Sequence, residues 1–427
     1  MKRILTVAVF VAVLLTQANP GSGAGFLIYE HGAAAMAMAG AFISIANNPS
    51  AIWHNPAGIA FLKGTQVSVG TTLIKSSSTM TLTQWPYAQP SKTWDQKSQV
   101  FYPSTFYITH SIGEKVTLGF GFFSPYGLGA SWPIENQLRY LGYEDDMKTF
   151  FFNPTVGIKL TDQLSIGAGV SYIYSTVKFK LVRLITNLIP YTGSTYDVPA
   201  ELEGNGNSWA FNAGLLYRAE KFSLGVNWRS SFNIDYKGDM TLDTSAIPSY
   251  FRPGFPTEAG GETTFKFPNI FGVGASVNVT EALLLTADIH YVLWSRFDKY
   301  VVTFDNADMD PLETKEDWKD AFTFRLGGQY TISPQFCLRA GVMYDLTPQP
   351  VESMDPLLPD ADRVAVTAGF GWTLAKNIVL DMTFHHEIFG DRTSPNRDIY
   401  KFGSVNFGES NYETTANLLA LSLSFGF

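Results

Sequence analysis

The one pair of adjacent histidines, His385-His386, is followed by Glu387. A His-His-Glu run invites the question of a bound metal. In an extended chain successive side chains point to opposite faces, so His385 and Glu387 share one face and His386 takes the other. Two ligands do not make a site and no third is apparent, so no metal is expected. Serine, histidine and acidic residues are all present, but nothing marks a nucleophile with a base and an orienting acid in line. No catalytic residue and no cofactor is expected. The single cysteine, Cys337, excludes an internal disulfide framework and a cysteine-based zinc site. What remains is electrostatic. Arg139, Arg325 and Arg339 are candidates to meet a carboxylate, whose two oxygens match a guanidinium. For Arg229, Arg325, Arg339, Lys159, Asp288, Asp345 and Asp381 the plainer expectation is mutual pairing, because an unpaired charge away from water is costly.

The elements that carry these residues alternate with a period of 2. From Leu164 one face reads Leu164, Ile166, Ala168, Val170, Tyr172, Tyr174, against Ser165, Gly167, Gly169 and Ser171. The same pattern recurs from Phe222, Phe336 and Val364, and each such segment is a strand with one apolar and one small or polar face. An apolar outside and a polar inside is the pattern of an outer-membrane barrel. A soluble sandwich would alternate too. Here the aromatic strand ends and a charged fraction of only 16% favour lipid. A formal net charge of −8 with no basic patch argues against nucleic acid.

Short turns fall at 112–115, 161–163, 218–221, 278–282, 331–335 and 374–377. Long irregular stretches fall between them at about 76–98, 125–146, 181–204, 237–261, 305–317, 348–361 and 390–411. Strict alternation of short and long connections is what an even-stranded barrel requires. Six turns and seven loops join fourteen antiparallel strands. The last strand ends Leu419, Leu421, Leu423, Phe425, Phe427, and a terminal Phe on a lipid face looks like the assembly signal of bacterial outer-membrane proteins.

The N-terminus reads as a secretory signal over residues 1–23. Lys2 and Arg3 precede the apolar run Ile4–Leu15, and Gly21-Ser22-Gly23 supplies the small residues for cleavage. No run is long enough for a comfortable transmembrane helix, so a membrane-spanning mature chain must be a closed barrel. Residues 24–63 are too apolar for a solvated tail and too short to bury a core of their own. Ahead of a barrel over 64–427 they are expected inside it, as a plug.

The start Ala24-Gly25-Phe26, the triplet Asn55-Pro56-Ala57 and five further segments, in order, resemble the FadL/TodX family of outer-membrane transporters for hydrophobic compounds. The segments are Phe122–Trp132, His290–Asp298, Phe324–Tyr330, Leu338–Pro350 and Leu358–Arg363. The resemblance implies a 14-stranded all-β barrel with an N-terminal hatch in its lumen. It also implies passive uptake of long-chain fatty acids or other apolar molecules, entering from an outer groove and leaving sideways through the wall. One stretch departs from the pattern: residues 31–38 are unusually rich in Ala and Met.

Site expectations follow. The third strand carries Gly119, Phe120 and Gly121, and its neighbours carry Pro103 and Pro154. Proline cannot donate a ladder hydrogen bond and glycine invites a bend, so these five are expected at the lateral opening. Tyr126, Leu128, Trp132, Leu138, Leu184 and Leu188 lie in long connections that should be polar. They are expected to form an apolar ligand groove, carried on short amphipathic helices. Asn55, Pro56 and Ala57 make a tight plug turn. Phe26 is placed to reach into a pocket. The partners expected are a hydrophobic ligand, outer-membrane lipid and lipopolysaccharide, with a monomeric chain. The alternatives are a structural or adhesin-type surface barrel without transport, a general polar porin, and energy-coupled transport.

Overall fold

The computed structural model describes residues 25–82, 92–186, 188, 194–307, 309–395 and 409–427. The expected signal segment lies outside the described residues. Fourteen antiparallel strands close into a ring, built by β1 (Thr65–Leu82), β2 (Ser104–Ile112), β3 (Val116–Phe123), β4 (Glu144–Lys159), β5 (Leu164–Thr186), β6 (Thr195–Arg218) and β7 (Phe222–Arg229), then β8 (Ile270–Asn278), β9 (Leu283–Val292), β10 (Ala321–Ser333), β11 (Phe336–Asp345), β12 (Arg363–Ala375), β13 (Ile378–Phe389) and β14 (Ser410–Gly426). Each pairs with the next, and β14 returns to β1 from Gln66↔Gly426 to Leu82↔Ser410. Closure leaves no edge strand, which is the condition for a sheet in hydrocarbon.

The alternation decides which way the wall faces. Val226, Leu338, Val366, Trp372 and Leu421 stand exposed on the outer surface, while Asp288, Arg325, Thr383 and His385 are buried inside. The short turns sit where the sequence places them. The long connections do not all remain irregular. Residues 181–204 are largely strand, because β5 and β6 continue as one unbroken ladder to Thr186↔Thr195. The residues Gly127–Ser131 pair with the start of β4, and Phe232–Leu242 pairs with Glu258–Phe267. No amphipathic helix forms in either apolar loop among the described residues; the apolar residues there sit on extended chain and turns. A hairpin satisfies its backbone by pairing and still shows one apolar face inward, so it does the helix's work without the helix.

Within the ring lies the N-terminal segment. It has little regular structure: single helical turns at Ala33–Met36 and Ala51–His54 and a 3-10 turn at Pro56–Phe61. Its backbone groups are satisfied partly by its own turns and partly by the wall. The Phe42 and Ile43 amides donate to Asp288 at 2.7 and 2.8 Å. Thr383 donates to Ala33 O, Thr367 to Ala37 O and Ser165 to Ala57 O. These partners come from β9, β13, β12 and β5. A segment bonded to separate arcs of a closed ring occupies its lumen. Close approach also needs missing side chains: a Cβ at Gly157 would lie 2.6 Å from Ile59, and one at Gly327 2.6 Å from Met38.

Candidate functional site

Asn55 is fully buried and ties the plug together. Its side-chain oxygen accepts from the Ala57 amide at 3.1 Å, and its nitrogen donates to Ile43 O at 2.9 Å and Leu215 O at 3.1 Å. Pro56 opens the 3-10 turn, where a missing N–H costs nothing. The triplet thus links two parts of the plug to β6.

Phe26 is 4% exposed and sits at the hub of an aromatic cage. Its ring centroid lies 4.8 Å from Trp294, 5.3 Å from Phe297, 5.5 Å from Trp318, 5.8 Å from Phe267 and 6.2 Å from Tyr126. On one side the rings continue outward: Phe297 meets Phe265, and Phe265 meets Tyr300 at 4.9 Å. Phe265 and Tyr300 line an apolar cavity of about 60 Å³ together with Val177, Phe179, Leu202 and Tyr236. It lies among the strand extensions on the long-loop side. On the other side Tyr126 meets Phe151, Phe151 meets Phe123, and Phe123 meets Trp53 of the plug. Next to Trp53, Ile52 rests on β3: a Cβ at Gly119 or Gly121 would lie 2.9 Å from Ile52 atoms. A chain of ring contacts therefore runs from the outer cavity, through Phe26, to the glycines of β3.

The six residues expected to share one groove are not brought together. Tyr126 belongs to the Phe26 cage and Leu128 packs beside it. Trp132 and Leu138 are buried in a separate cluster with Met80, Leu82, Met354 and Tyr412, where the Trp132 indole donates to Pro356 O at 2.7 Å. Leu184 and Leu188 are half-buried at the β5–β6 tip. The cavity draws instead on Val177, Phe179 and Leu202. Val177 and Phe179 continue the alternation that begins at Leu164, whereas Leu202 is hidden when 181–204 is read as a loop.

The wall at β3 is paired along its whole length, to β2 from Phe106↔Phe122 to Ile112↔Val116 and to β4 from Val116↔Ile158 to Phe123↔Phe151. Phe120 sits opposite Pro154, and the Pro103 carbonyl still accepts from the Thr72 amide. Pro154 interrupts the other side of its strand: β4–β5 pairing stops at Phe152↔Tyr172 and resumes at Thr155↔Gly169. A longer interruption separates β6 from its neighbour between Asn212↔Arg229 and Asn205↔Lys237.

Two of the three candidate arginines are committed elsewhere. Arg139 donates to Asp197 at 2.8 and 3.2 Å and to the Tyr140 hydroxyl. Arg339 pairs with Asp381 at 2.6 Å and bonds Gln329. Arg325 donates one N–H to Ala39 O at 2.6 Å and lies over the Tyr29 ring, and two of its nitrogens make no hydrogen bond. It borders a cavity of about 10 Å³ with Arg229, His54 and His290, room for a single water at most. Arg229 also serves the plug, donating to Ile52 O at 3.0 Å and to Trp53 O. Burial holds His54 in its neutral form, its pKa lowered to about 3, and its Nε2–H donates to His31 O at 2.8 Å. Asp360, in the connection before β12, accepts from the Gly25 amide at 2.9 Å, and burial pushes its pKa up to about 6. The sequence missed one grouping. Glu30 of the plug closes on His385 and Glu387, their ligand atoms all within 4.8 Å of one another.

The family described as "Outer membrane protein transport protein (OMPP1/FadL/TodX)" matches residues 12–427. The chain belongs to this family. As a member it is a barrel of the bacterial outer membrane. Among its relatives is the long-chain fatty acid transport protein of Salmonella typhi, 26% identical over 418 residues, covering 93% of this chain and 94% of that one. The protein of the same name from Escherichia coli strain K12 is 25% identical over 429 residues, with the same coverage. Among solved structures, a Pseudomonas aeruginosa FadL homologue superposes with a TM-score of 0.83 at 17% identity, covering 95% of this chain and all of that one. The Ralstonia pickettii toluene transporter TbuX gives 0.69 at 17% identity, covering 93% of this chain and 100% of that one. These likenesses support the family's fold.

Proposed function

We propose that this member carries long-chain fatty acids, or apolar molecules of similar character, passively across the outer membrane. The observation that carries the reading is the unbroken line of apolar contacts with Phe26 at its centre. The relatives named for fatty-acid transport support the acyl-chain substrate. Ligand first enters the cavity around Phe179, Phe265 and Tyr300. About 60 Å³ is far below the roughly 300–1,000 Å³ of sites that hold such molecules. The conformation described is closed, and the hairpin tips part to admit an acyl chain. Ligand then takes the place of the Phe26 ring in the cage. Exit is sideways past β3, where withdrawal of Ile52 uncovers a wall lined by Gly119 and Gly121, with Pro103, Phe120 and Pro154 beside it. Arg325 is the carboxylate partner, since Arg139 and Arg339 have acidic partners already. The barrel works as a monomer among lipid and lipopolysaccharide, with no catalytic step.

The test is uptake of radiolabelled oleate by cells that lack their own fatty-acid transporter. Saturable uptake that depends on this chain is expected, with no large ion conductance in planar bilayers. Absence of uptake and of bound apolar ligand, with the barrel correctly inserted, returns the reading to a structural surface barrel.

A further inference from the structure

His385 is 1% exposed, yet neither of its ring nitrogens completes a hydrogen bond. A buried polar group without a partner carries a full desolvation cost. The ring is not isolated, however. Its Nε2 lies 3.1 Å from Glu387 Oε1, and the Glu30 carboxylate faces both. Two ligands bound at about 2.0–2.1 Å to a tetrahedral ion stand roughly 3.3 Å apart. The separation of Nε2 and Oε1 is already close to that edge. Glu387's other oxygen is held by Arg363 at 3.3 Å, and Arg363 in turn grips Asp345 at 3.1 Å. One oxygen of Glu387 is thus fixed by the guanidinium while the other is aimed at His385.

Carboxyl groups also outnumber guanidinium groups here: Glu30, Glu387 and Asp345 gather about Arg363, with Arg325 nearby. Arg325 approaches from the side of Tyr29 but bonds Ala39 O, not these carboxylates.

We propose that Glu30, His385 and Glu387 bind one divalent transition-metal ion of the zinc class, which fastens the plug to β13. An imidazole with two carboxylates suits zinc better than magnesium or calcium, which prefer oxygen-only shells. Three protein ligands leave a fourth position for water. Glu30 belongs to the plug and the other two ligands to the wall, so the ion ties together parts of the chain that otherwise meet through apolar contacts and single hydrogen bonds. The site stands independently of what the barrel transports.

The full chain, without a histidine tag, is purified from outer membranes in mild detergent and its metal content measured by plasma mass spectrometry. It is then stripped with chelator and titrated with Zn²⁺ and, separately, with Co²⁺, whose visible absorption reports coordination. About one equivalent per chain is expected, and hydrogen exchange of residues 25–35 should slow on binding. Glu30→Gln and His385→Asn should each weaken binding at least tenfold, while His386→Asn on the outer face leaves it unchanged. Heat-modifiable migration on gels confirms that each variant is a folded barrel. No retained metal together with no binding of either ion overturns the proposal. So does binding that survives both Glu30→Gln and His385→Asn, and binding that leaves plug exchange unaltered overturns the fastening role.

Discussion

Replacing Phe26 by alanine tests the ligand path most directly. The ring is 4% exposed and touches five other aromatic rings at 4.8–6.2 Å. Truncating such a residue costs about 3–5 kcal/mol when the surroundings cannot collapse. That cost falls on the seating of the plug's first residues, because only an isolated bridge from Leu27 to Tyr126 joins them to the sheet. If ligand must displace the Phe26 ring, the same energy is a penalty on binding in the wild type. Each 1.4 kcal/mol is a factor of ten, so removal should tighten binding by up to roughly 10² to 4 × 10³-fold, with at least about tenfold remaining if the cage half-closes. Equilibrium binding of tritiated oleate to detergent-purified protein measures this. Faster hydrogen exchange at residues 25–30 should accompany it. Phe26→Leu, which keeps most of the volume, should lie between the two. Weaker binding by Phe26→Ala would refute the argument, since Phe26 would then be a wall of the site and not its occupant.

Asn55→Ala removes three hydrogen bonds at a fully buried position and should loosen the plug by about 2–4 kcal/mol. Exchange at residues 43–57 should rise while heat-modifiable gel migration stays normal. Gly119→Ala places a methyl 2.9 Å from Ile52, an overpacking cost of about 1–3 kcal/mol. Ile52→Ala in the same chain should recover most of it, and a double-mutant cycle on plug exchange with no coupling would separate β3 from the plug. For the same reason a large side chain at Gly119 or Gly121 expels Ile52 before it blocks any opening. Acidification weakens the seating of the plug at His54 and strengthens it at Asp360. His54 has a folded-state pKa of about 3, below its unfolded value, so its contribution is present above about pH 6.5 and is lost as pH falls, by roughly 1.4 kcal/mol per unit. Asp360 has the opposite sign: raised to about 6, its contribution is present below its unfolded value and lost as pH rises through 6. Protection of the plug against exchange, taken relative to the intrinsic rate at each pH, should fall more steeply from pH 7 to 4 in the wild type than in His54→Gln.

How much of this was legible depends on the distance over which each feature is decided. Strand type, inward and outward faces, and the number fourteen come from alternation between residues two apart and from turn chemistry spanning four or five residues. Lipid outside and a packed lumen inside write that pattern directly into the chain. Val226 and Asp288 each take a face from their place in the alternation alone. The plug's chemical character was legible for the same reason, since an Ala/Gly-rich apolar segment has few homes. Pairings across the ring were not. Arg139 finds Asp197, Arg339 finds Asp381, and Glu30 finds His385 because closure fixes register between strands far apart in sequence. The same closure carries β5 and β6 beyond the membrane belt as a continuous hairpin, which turned an expected loop into the wall of the outer cavity. Composition determined that there is an inside and an outside. Only the closed ring decided which residues meet there, because backbone pairing around fourteen strands sets every inward side chain's height and neighbours at once.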